Sequence, residues 1–163
     1  MIEPAELQRL VEQGRGEKQG SSINEFREDI NKLNRVKIDF AKAGGLVPAI
    51  IQDHRSGEVL MLGFMNEASL AQTRETGEVV FFSRSRNKLW KKGESSGHVL
   101  RVREVRVDCD GDALLVRVEA VGPGVCHEGY RSCFFRTLGS DGALAVNADR
   151  VFEPQKVYKS EKP

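Results

Sequence analysis

The sequence predicts an α+β domain built mainly from antiparallel strands with flanking helices, and three observations support this fold class. From about residue 36 onward, short apolar runs alternate with turn-forming residues, which is typical of strands. One capped helical segment interrupts these runs, and two polar helical segments precede them. The 163 residues, of which 39% are hydrophobic, suffice for one such domain with additions at its ends.

The N-terminal part, residues 1–35, is predicted to be a helical extension with a linker. Residues 4–13 and a segment beginning at Ser22 carry apolar side chains at helical spacing, and Glu25 completes a capping box with Ser22. Residues 14–21 lie between them, and their glycines and polar side chains are typical of a flexible linker. We expect no chemistry in this extension.

The central part, residues 36–140, carries the predicted sheet, and residues 141–163 are predicted to be a tail that packs on or beside the domain. Apolar side chains change face at Arg103 and Glu104, which predicts a β-bulge. Residues 83–97 are predicted to be a long polar loop. The remaining elements are a hairpin of strands 46–52 and 58–65, a helix 67–75 between Asn66 and Gly77, and strands 79–82, 98–107, 113–121 and 132–138.

Charge and hydropathy exclude several classes of protein. The 25 Lys and Arg residues nearly balance 24 Asp and Glu residues, whereas a general nucleic-acid binder carries a strong basic excess. No apolar run approaches the roughly 18 residues that a membrane helix needs, and the first residues lack the pattern of a secretory signal. Three cysteines cannot all pair in disulfides within one chain. We therefore expect a soluble cytoplasmic protein.

Residues 108–112 (Asp-Cys-Asp-Gly-Asp) carry carboxylates at alternate positions. On an extended backbone these side chains share one face, where three like charges repel one another unless a cation binds. Oxygen-rich clusters suit Mg²⁺ or Ca²⁺, but a solvated acidic turn without metal explains the same pattern. A calcium-binding EF-hand is excluded because Ala113 stands where that loop requires Gly.

All three cysteines, Cys109, Cys126 and Cys133, lie in one short part of the chain. Three thiolates are the number of protein ligands with which a catalytic zinc keeps a fourth position open for water. Their spacing differs from that of zinc fingers, so cysteines buried as small apolar residues are an alternative. The polar neighbours of all three cysteines favour a metal site over that alternative.

The polar loop at residues 83–97 and the histidine after it are candidates for substrate binding and proton transfer. Arginines, lysines and serines in the loop suit a phosphate group, although an ordinary solvated loop has a similar composition. His98 joins this loop to a strand, and an imidazole titrates near neutral pH. It is either a general acid or base, or a structural hydrogen-bonding residue.

Four segments, in this order, resemble the phosphoribosyl-AMP cyclohydrolase family of histidine biosynthesis, and the resemblance extends from about Val36 to Leu138. The chain departs from the family at Leu100, where Gln is frequent, and at Glu128, where Thr is frequent. The four segments are residues 82–86 (Phe-Ser-Arg-Ser-Arg), 89–98 (Leu-Trp-Lys-Lys-Gly-Glu-Ser-Ser-Gly-His), 108–115 (Asp-Cys-Asp-Gly-Asp-Ala-Leu-Leu) and 126–134 (Cys-His-Glu-Gly-Tyr-Arg-Ser-Cys-Phe).

The resemblance implies an intertwined homodimer that binds one zinc ion per subunit, together with magnesium. The zinc ligands would be Cys109, Cys126 and Cys133, drawn from both subunits. The magnesium ligands would be Asp108, Asp110 and Asp112. For the mechanism we further predict that His98 transfers a proton. Predicted substrate contacts are Ser83, Arg84, Ser85, Arg86, Trp90, Lys92, Glu94 and Ser96.

The activity that the resemblance implies is a zinc- and magnesium-dependent hydrolysis of phosphoribosyl-AMP, an early step of L-histidine biosynthesis. A zinc-activated water would open the adenine ring at the N1–C6 bond, where the substituent on N1 has already made C6 electrophilic. Two alternatives are another zinc-dependent nucleotide hydrolase or deaminase, and a structural zinc module with four protein ligands. Some relatives carry a fused pyrophosphohydrolase domain, and we expect this chain to be monofunctional because its flanking segments are too short for one.

Overall fold

The computed structural model describes residues 38–42 and 44–158. The helices and linker predicted for residues 1–35 lie outside the described residues, so these predictions are not tested. Two helices and eight strands occur in the described part. In chain order they are β1 (Val47–Asp53), β2 (Val59–Met65), α1 (Glu67–Thr76), β3 (Val80–Ser83), β4 (Lys88–Lys91), β5 (Leu100–Val107), β6 (Leu114–Ala120), β7 (Arg136–Leu138), β8 (Leu144–Val146) and α2 (Pro154–Val157).

The main sheet has four strands in the order β2-β1-β6-β5. The outer pairs, β1 with β2 and β5 with β6, are antiparallel, as the sequence predicts. The central pair is parallel, with Ala49 of β1 opposite Leu114 of β6, and the sequence analysis did not predict it. The register of β5 on β6 shifts between Val102 and Glu104, which confirms the predicted bulge.

Alternating apolar side chains of the two central strands form the middle of the core. Val47, Ala49 and Ile51 on β1 are fully buried, and so are Val116 and Val118 on β6. Each side chain of this kind contributes roughly 1.5–3 kcal/mol when it is removed from water. The buried side chains of β1 and β6 therefore hold the sheet that carries the candidate site.

The turn between β1 and β2 is closed by Asp53, which is buried at the end of β1. Its carboxylate accepts hydrogen bonds from the amide and hydroxyl of Ser56 at 2.8 and 3.0 Å, and from the amide of Arg55 at 3.0 Å. Hydrogen bonds from Ser56, with Arg55 and the charge of Arg131, lower the pKa of Asp53. The predicted hairpin is confirmed, and its turn depends on an ionised carboxylate.

Helix α1 begins at the predicted residue and ends one residue later than predicted, before the predicted Gly77. The side chain of Asn66 accepts a hydrogen bond from the amide of Ser69, whose hydroxyl in turn accepts one from the amide of Asn66. Gly77 ends the helix at a φ of 69°, a conformation that favours glycine. Thr73 connects the helix to β3, because its hydroxyl accepts a hydrogen bond from the amide of Val80 at 2.9 Å.

The predicted loop at residues 83–97 is wrong in its first half, where β4 pairs with β3 to form a hairpin. Asn87, at a φ of 49°, allows the tight turn between the two strands. Trp90 on β4 packs against Phe81 on β3 with ring centroids 5.1 Å apart. This packing stabilises a strand whose own sequence, Lys-Leu-Trp-Lys, carries charges at both ends.

The strand predicted at residues 132–138 is shorter in the structure, where only β7 is extended and pairs with β8. Both strands are exposed along their whole length. Residues 132–135 instead belong to the segment that carries Cys133. Within residues 38–42 and 44–158, no helix has the length and apolar character required to span a membrane.

Candidate active site

The segment from Cys126 to Phe135 folds around a small cluster of its own. Cys126 is 3% exposed, and its amide donates a hydrogen bond to the carbonyl of Tyr130 at 3.1 Å, which closes a tight turn. The rings of Tyr130 and Phe135 are stacked, with centroids 3.7 Å apart and planes 6° from parallel. These three residues form a buried cluster distinct from the main core.

Contacts with the β1–β2 hairpin hold this segment in place. The amide of Cys133 donates a hydrogen bond to the carbonyl of Leu60 at 2.8 Å. The guanidinium of Arg131 lies 2.7 Å from the carboxylate of Glu58 and 3.3 Å from that of Asp53. The position of Cys133 is therefore fixed by strand β2 and by the turn that precedes it.

Cys126 and Cys133 lie close enough for their side chains to interact. Burial of the Cys133 thiol, the neighbouring Cys126 and a hydrogen bond between the two raise the pKa of Cys133 to about 12. Cys133 is exposed, whereas Cys126 is buried. Two adjacent sulfurs of this kind form an incomplete set of soft metal ligands, which suits zinc.

Cys109 lies elsewhere, exposed in the turn between β5 and β6. Among the described residues, one group of three or more metal-ligating side chains has its ligand atoms within 4.8 Å of one another, and it contains no cysteine. The three cysteines therefore do not gather within one chain. Three thiolates on one ion would require Cys109 from a second copy.

The group that does gather consists of Asp108, Asp110 and Asp112. Residues 108–113 form a turn rather than an extended strand, so the turn brings the carboxylates together and the predicted alternation does not. One carboxylate oxygen of Asp108 accepts hydrogen bonds from the amides of Asp112 and Ala113 at 3.0 and 3.1 Å. Carboxylate oxygens of Asp110 and Asp112 lie within 4.8 Å of each other and of an oxygen of Asp108.

Lys42 lies against this acidic group. Its ammonium is 2.8 Å from the carboxylate of Asp110, 3.2 Å from the carbonyl of the same residue, and 3.4 Å from the carboxylate of Asp112. The hydrogen bond from Lys42 lowers the pKa of Asp110, and the hydrogen bond to Asp110 raises the pKa of Lys42. The acidic group thus already accommodates a cation.

A cavity of about 250 Å³ lies beside the cysteine segment. Its wall includes Cys133, and residues 90–96 form much of the opposite side. Six of the residues predicted from the sequence are brought together here, namely Arg86, Trp90, Lys92, Glu94, Ser96 and Cys133. An aromatic ring, charged groups and a hydroxyl in one cavity are suited to a phosphorylated heteroaromatic molecule.

The other three predicted substrate contacts lie outside that cavity. Arg84 and Ser85 line a neighbouring groove, where the guanidinium of Arg84 lies 3.8 Å from the ring centre of Phe64. The hydroxyl of Ser83 accepts a hydrogen bond from the amide of Arg86 at 3.3 Å, which closes the β3–β4 turn. Arg84 and Ser85 therefore line a second concave surface, which also includes Trp90, whereas Ser83 belongs to the turn.

His98 is half-buried and does not line the cavity. Its ring packs edge-on against Phe152, with centroids 4.9 Å apart, and lies over Gly122, where a Cβ would be 2.6 Å from the ring carbon Cδ2. Within the described part of the chain, its buried Nδ1 has no hydrogen-bond partner. The proton-transfer role of His98 stays a prediction.

A second imidazole, that of His127, does line the cavity together with Cys133. No role was predicted for His127 from the sequence, although this residue directly follows Cys126. Its position directly after Cys126 could have indicated a role at the site, because a residue next to a metal ligand lies in the same short turn.

Comparison with known proteins identifies a family. The sequence model of the family described as phosphoribosyl-AMP cyclohydrolase matches residues 61–135. A relative with that name from Solibacter usitatus is 58% identical over 123 residues, covering 76% of this chain and 97% of the relative. Another from Desulforapulum autotrophicum is 54% identical over 124 residues, covering 76% and 99%. A third, from Geobacter sulfurreducens, is 52% identical over 124 residues, covering 76% and 98%.

Proposed function

The chain belongs to the phosphoribosyl-AMP cyclohydrolase family, and we propose that it opens the adenine ring of phosphoribosyl-AMP by a zinc-dependent hydrolysis in the biosynthesis of L-histidine. The observation that carries this proposal is the similarity of more than 50% over nearly the whole length of relatives with that name. The cavity beside Cys133, with its aromatic and charged wall, supports a phosphorylated heteroaromatic substrate.

The proposed zinc site combines Cys126 and Cys133 of one subunit with Cys109 of a second. Two adjacent thiols in one segment, and a third that is exposed and distant, support this arrangement. When bound, zinc supplies the acidified water that the hydrolysis requires at neutral pH. The three cysteines would hold that ion, and Cys133 also lines the cavity.

Exposed apolar side chains support the homodimer that a shared site requires. Phe134 is 57% exposed, and Leu138 and Leu144 on the β7–β8 hairpin are 68% and 61% exposed. Leu138 and Leu144 are cross-strand partners in this hairpin, and an exposed apolar patch of this kind marks protein–protein contacts. We propose that a second copy covers this patch and brings its Cys109 to the site.

Magnesium is proposed at Asp108, Asp110 and Asp112, whose oxygen ligands suit a hard cation. Ligand atoms within 4.8 Å of one another are compatible with one ion. The contact of Lys42 with this group supports a preference for positive charge there. The expected role of this site is to orient the phosphate groups of the substrate.

Side chains of the cavity would bind the substrate and move its protons. Trp90 offers a face for the purine, while Arg86 and the loop hydroxyls suit its phosphates. His98 is the sequence-based candidate for general acid or base, and His127 is a second one because it lines the cavity. The pH dependence of kcat in His98→Ala and His127→Ala variants would distinguish the two histidines. The variant that lacks the general acid or base should lose either the acidic or the basic decline of kcat with pH.

The direct test incubates the purified protein with phosphoribosyl-AMP, with and without a zinc chelator, and follows the loss of the intact purine. We expect ring opening that the chelator abolishes and added zinc restores, and a Cys126→Ser variant that lacks both zinc and turnover. AMP and adenosine serve as comparison substrates. Ammonia release from either one would indicate a deaminase and contradict the proposal.

The shared site is tested by mixing two inactive variants, Cys109→Ser and Cys126→Ser, under conditions that exchange subunits. Half of the resulting dimers are mixed, and each of these has one intact site, so about a quarter of wild-type activity and zinc content is expected to return. The matched control mixes Cys126→Ser with Cys133→Ser and stays inactive, because both ligands come from the same segment. A mixture of the first pair that remains inactive after exchange would exclude ligand sharing.

A further inference from the structure

Lys92 is a buried lysine in the wall of the cavity. It directly follows β4, and its amide donates a hydrogen bond to the carbonyl of Val79 at 3.0 Å, which fixes the start of its side chain. The residue is only 7% exposed. The other lysines of this strand differ, because Lys91 is paired with Glu78 at 2.6 Å and Lys88 is exposed.

The charged neighbours of Lys92 are unusual for a buried ammonium. Burial lowers the pKa of Lys92. Its ammonium forms no hydrogen bond or ion pair with the residues in 38–42 and 44–158, and Cys133 lines the same cavity. A buried charge without a partner is costly, and apolar side chains of similar volume are more stable in such positions. A negatively charged sulfur in the same cavity wall would balance the ammonium, whereas a cysteine thiol carries no charge.

Zinc binding would create that negative charge. A zinc ion binds cysteine as the thiolate, and three thiolates around one divalent ion leave one negative charge in excess. One ammonium beside them makes the site neutral. Outer groups of this kind commonly orient and stabilise the ligands of a metal.

We propose that Lys92 is the fixed positive charge that balances the thiolate ligands of the zinc site, and that it acts as a positioning residue rather than as a contact to substrate. This inference rests on the proposed function, since it requires zinc on Cys126 and Cys133. It explains why the chain keeps a lysine where burial disfavours one.

The test compares zinc affinity, measured by competition with a chromophoric chelator, in wild-type protein and in Lys92→Met. We expect Lys92→Met to bind zinc about 10- to 100-fold more weakly, the range typical for loss of an outer group at a metal site. Lys92→Arg, which keeps the charge, should recover most of the affinity. Lys88→Met removes an exposed charge from the same strand and should leave zinc affinity unchanged.

Thermal unfolding of the metal-free proteins separates this role from a structural one. Met fills a similar volume without a charge, so metal-free Lys92→Met should melt at the same temperature as wild type or higher. A lower melting temperature together with unchanged zinc affinity would overturn the inference. A raised KM with unchanged zinc affinity would also overturn it, because Lys92 would then be a substrate contact. Failure of the wild-type protein to bind zinc would instead reject the proposed function, and this inference with it.

Discussion

Replacement of Gly63 by alanine is expected to destabilise the domain through one close contact. Gly63 lies on β2 opposite Ala49, and a Cβ there would be 3.0 Å from Cζ of Phe81 and closer still to two other ring carbons. Carbon atoms in favourable contact are about 3.5–4.0 Å apart. Phe81 is fully buried and packs against Trp90, so its ring can move away from a new methyl group only by displacing that neighbour.

The size of the effect follows from two opposing contributions. Overpacking of a core costs about 1–3 kcal/mol. Alanine also lowers the conformational entropy of the unfolded chain, which stabilises the folded protein by about 0.4–1 kcal/mol. This gain applies because the backbone of Gly63 is not in a left-handed conformation, so alanine can adopt it. The net loss of about 1–2 kcal/mol corresponds to a melting temperature lower by roughly 2–8 °C for a chain of this size. Calorimetry at one fixed concentration of protein and zinc measures it.

A double variant, Gly63→Ala with Phe81→Leu, tests the cause of this loss. The smaller leucine leaves room for the methyl group, so the double variant should be more stable than the sum of the two single losses predicts. Trp90 lines the cavity, so Gly63→Ala alone should also raise KM for phosphoribosyl-AMP. An unchanged melting temperature in the single variant, or strictly additive losses in the double variant, would refute the reasoning.

Two further predictions concern charged groups outside the cavity. Asp53→Asn should lower the free energy of unfolding by about 1 kcal/mol in urea titrations. Because Ser56 and its other donors lower the pKa of Asp53, its stabilisation is complete above the unfolded pKa near 4 and is lost as pH falls below it. The difference from wild type should therefore be constant from pH 5 to 8 and shrink towards pH 3; a constant difference at all pH values would contradict this. Lys42→Met should strengthen Mg²⁺ binding by up to about fivefold in calorimetric titrations, because the ion no longer displaces an ammonium from Asp110. The control Lys156→Met should bind Mg²⁺ as wild type does, and equal affinity in both variants would contradict the displacement.

Local signals in the sequence were sufficient for several elements of the fold. Helix α1 lies between Asn66 and Gly77 because capping depends on residues a few positions apart. The bulge after Val102 was predicted because apolar side chains change face within one strand. The parallel pairing of β1 with β6 was not predicted, because alternation reveals which face is buried but not which distant strand is the neighbour. Strand β4 was missed because packing of Trp90, rather than its own composition, stabilises it.

In the candidate site too, residue types could be predicted from the sequence, whereas contacts between distant residues could not. The motifs predicted the three aspartates that lie together and six of the residues that line the cavity, since these residues are recognisable by type and order along the chain. The contact of Lys42 with Asp110 was not predicted, because 68 residues separate the two positions. The burial of Lys92 was also missed, since it depends on how the loop after β4 packs beside Cys133.

The stacked rings of Tyr130 and Phe135 bear on how this protein would take up and release the proposed zinc ion. In a zinc finger the ion must order the polypeptide around it, so much of its binding energy is consumed in folding the peptide. Here aromatic stacking and the strand β2 already hold the polypeptide between Cys126 and Cys133 in shape. If zinc binds as proposed, its removal should leave an intact apoprotein that can be reconstituted repeatedly, and association of the proposed dimer rather than refolding should limit zinc uptake.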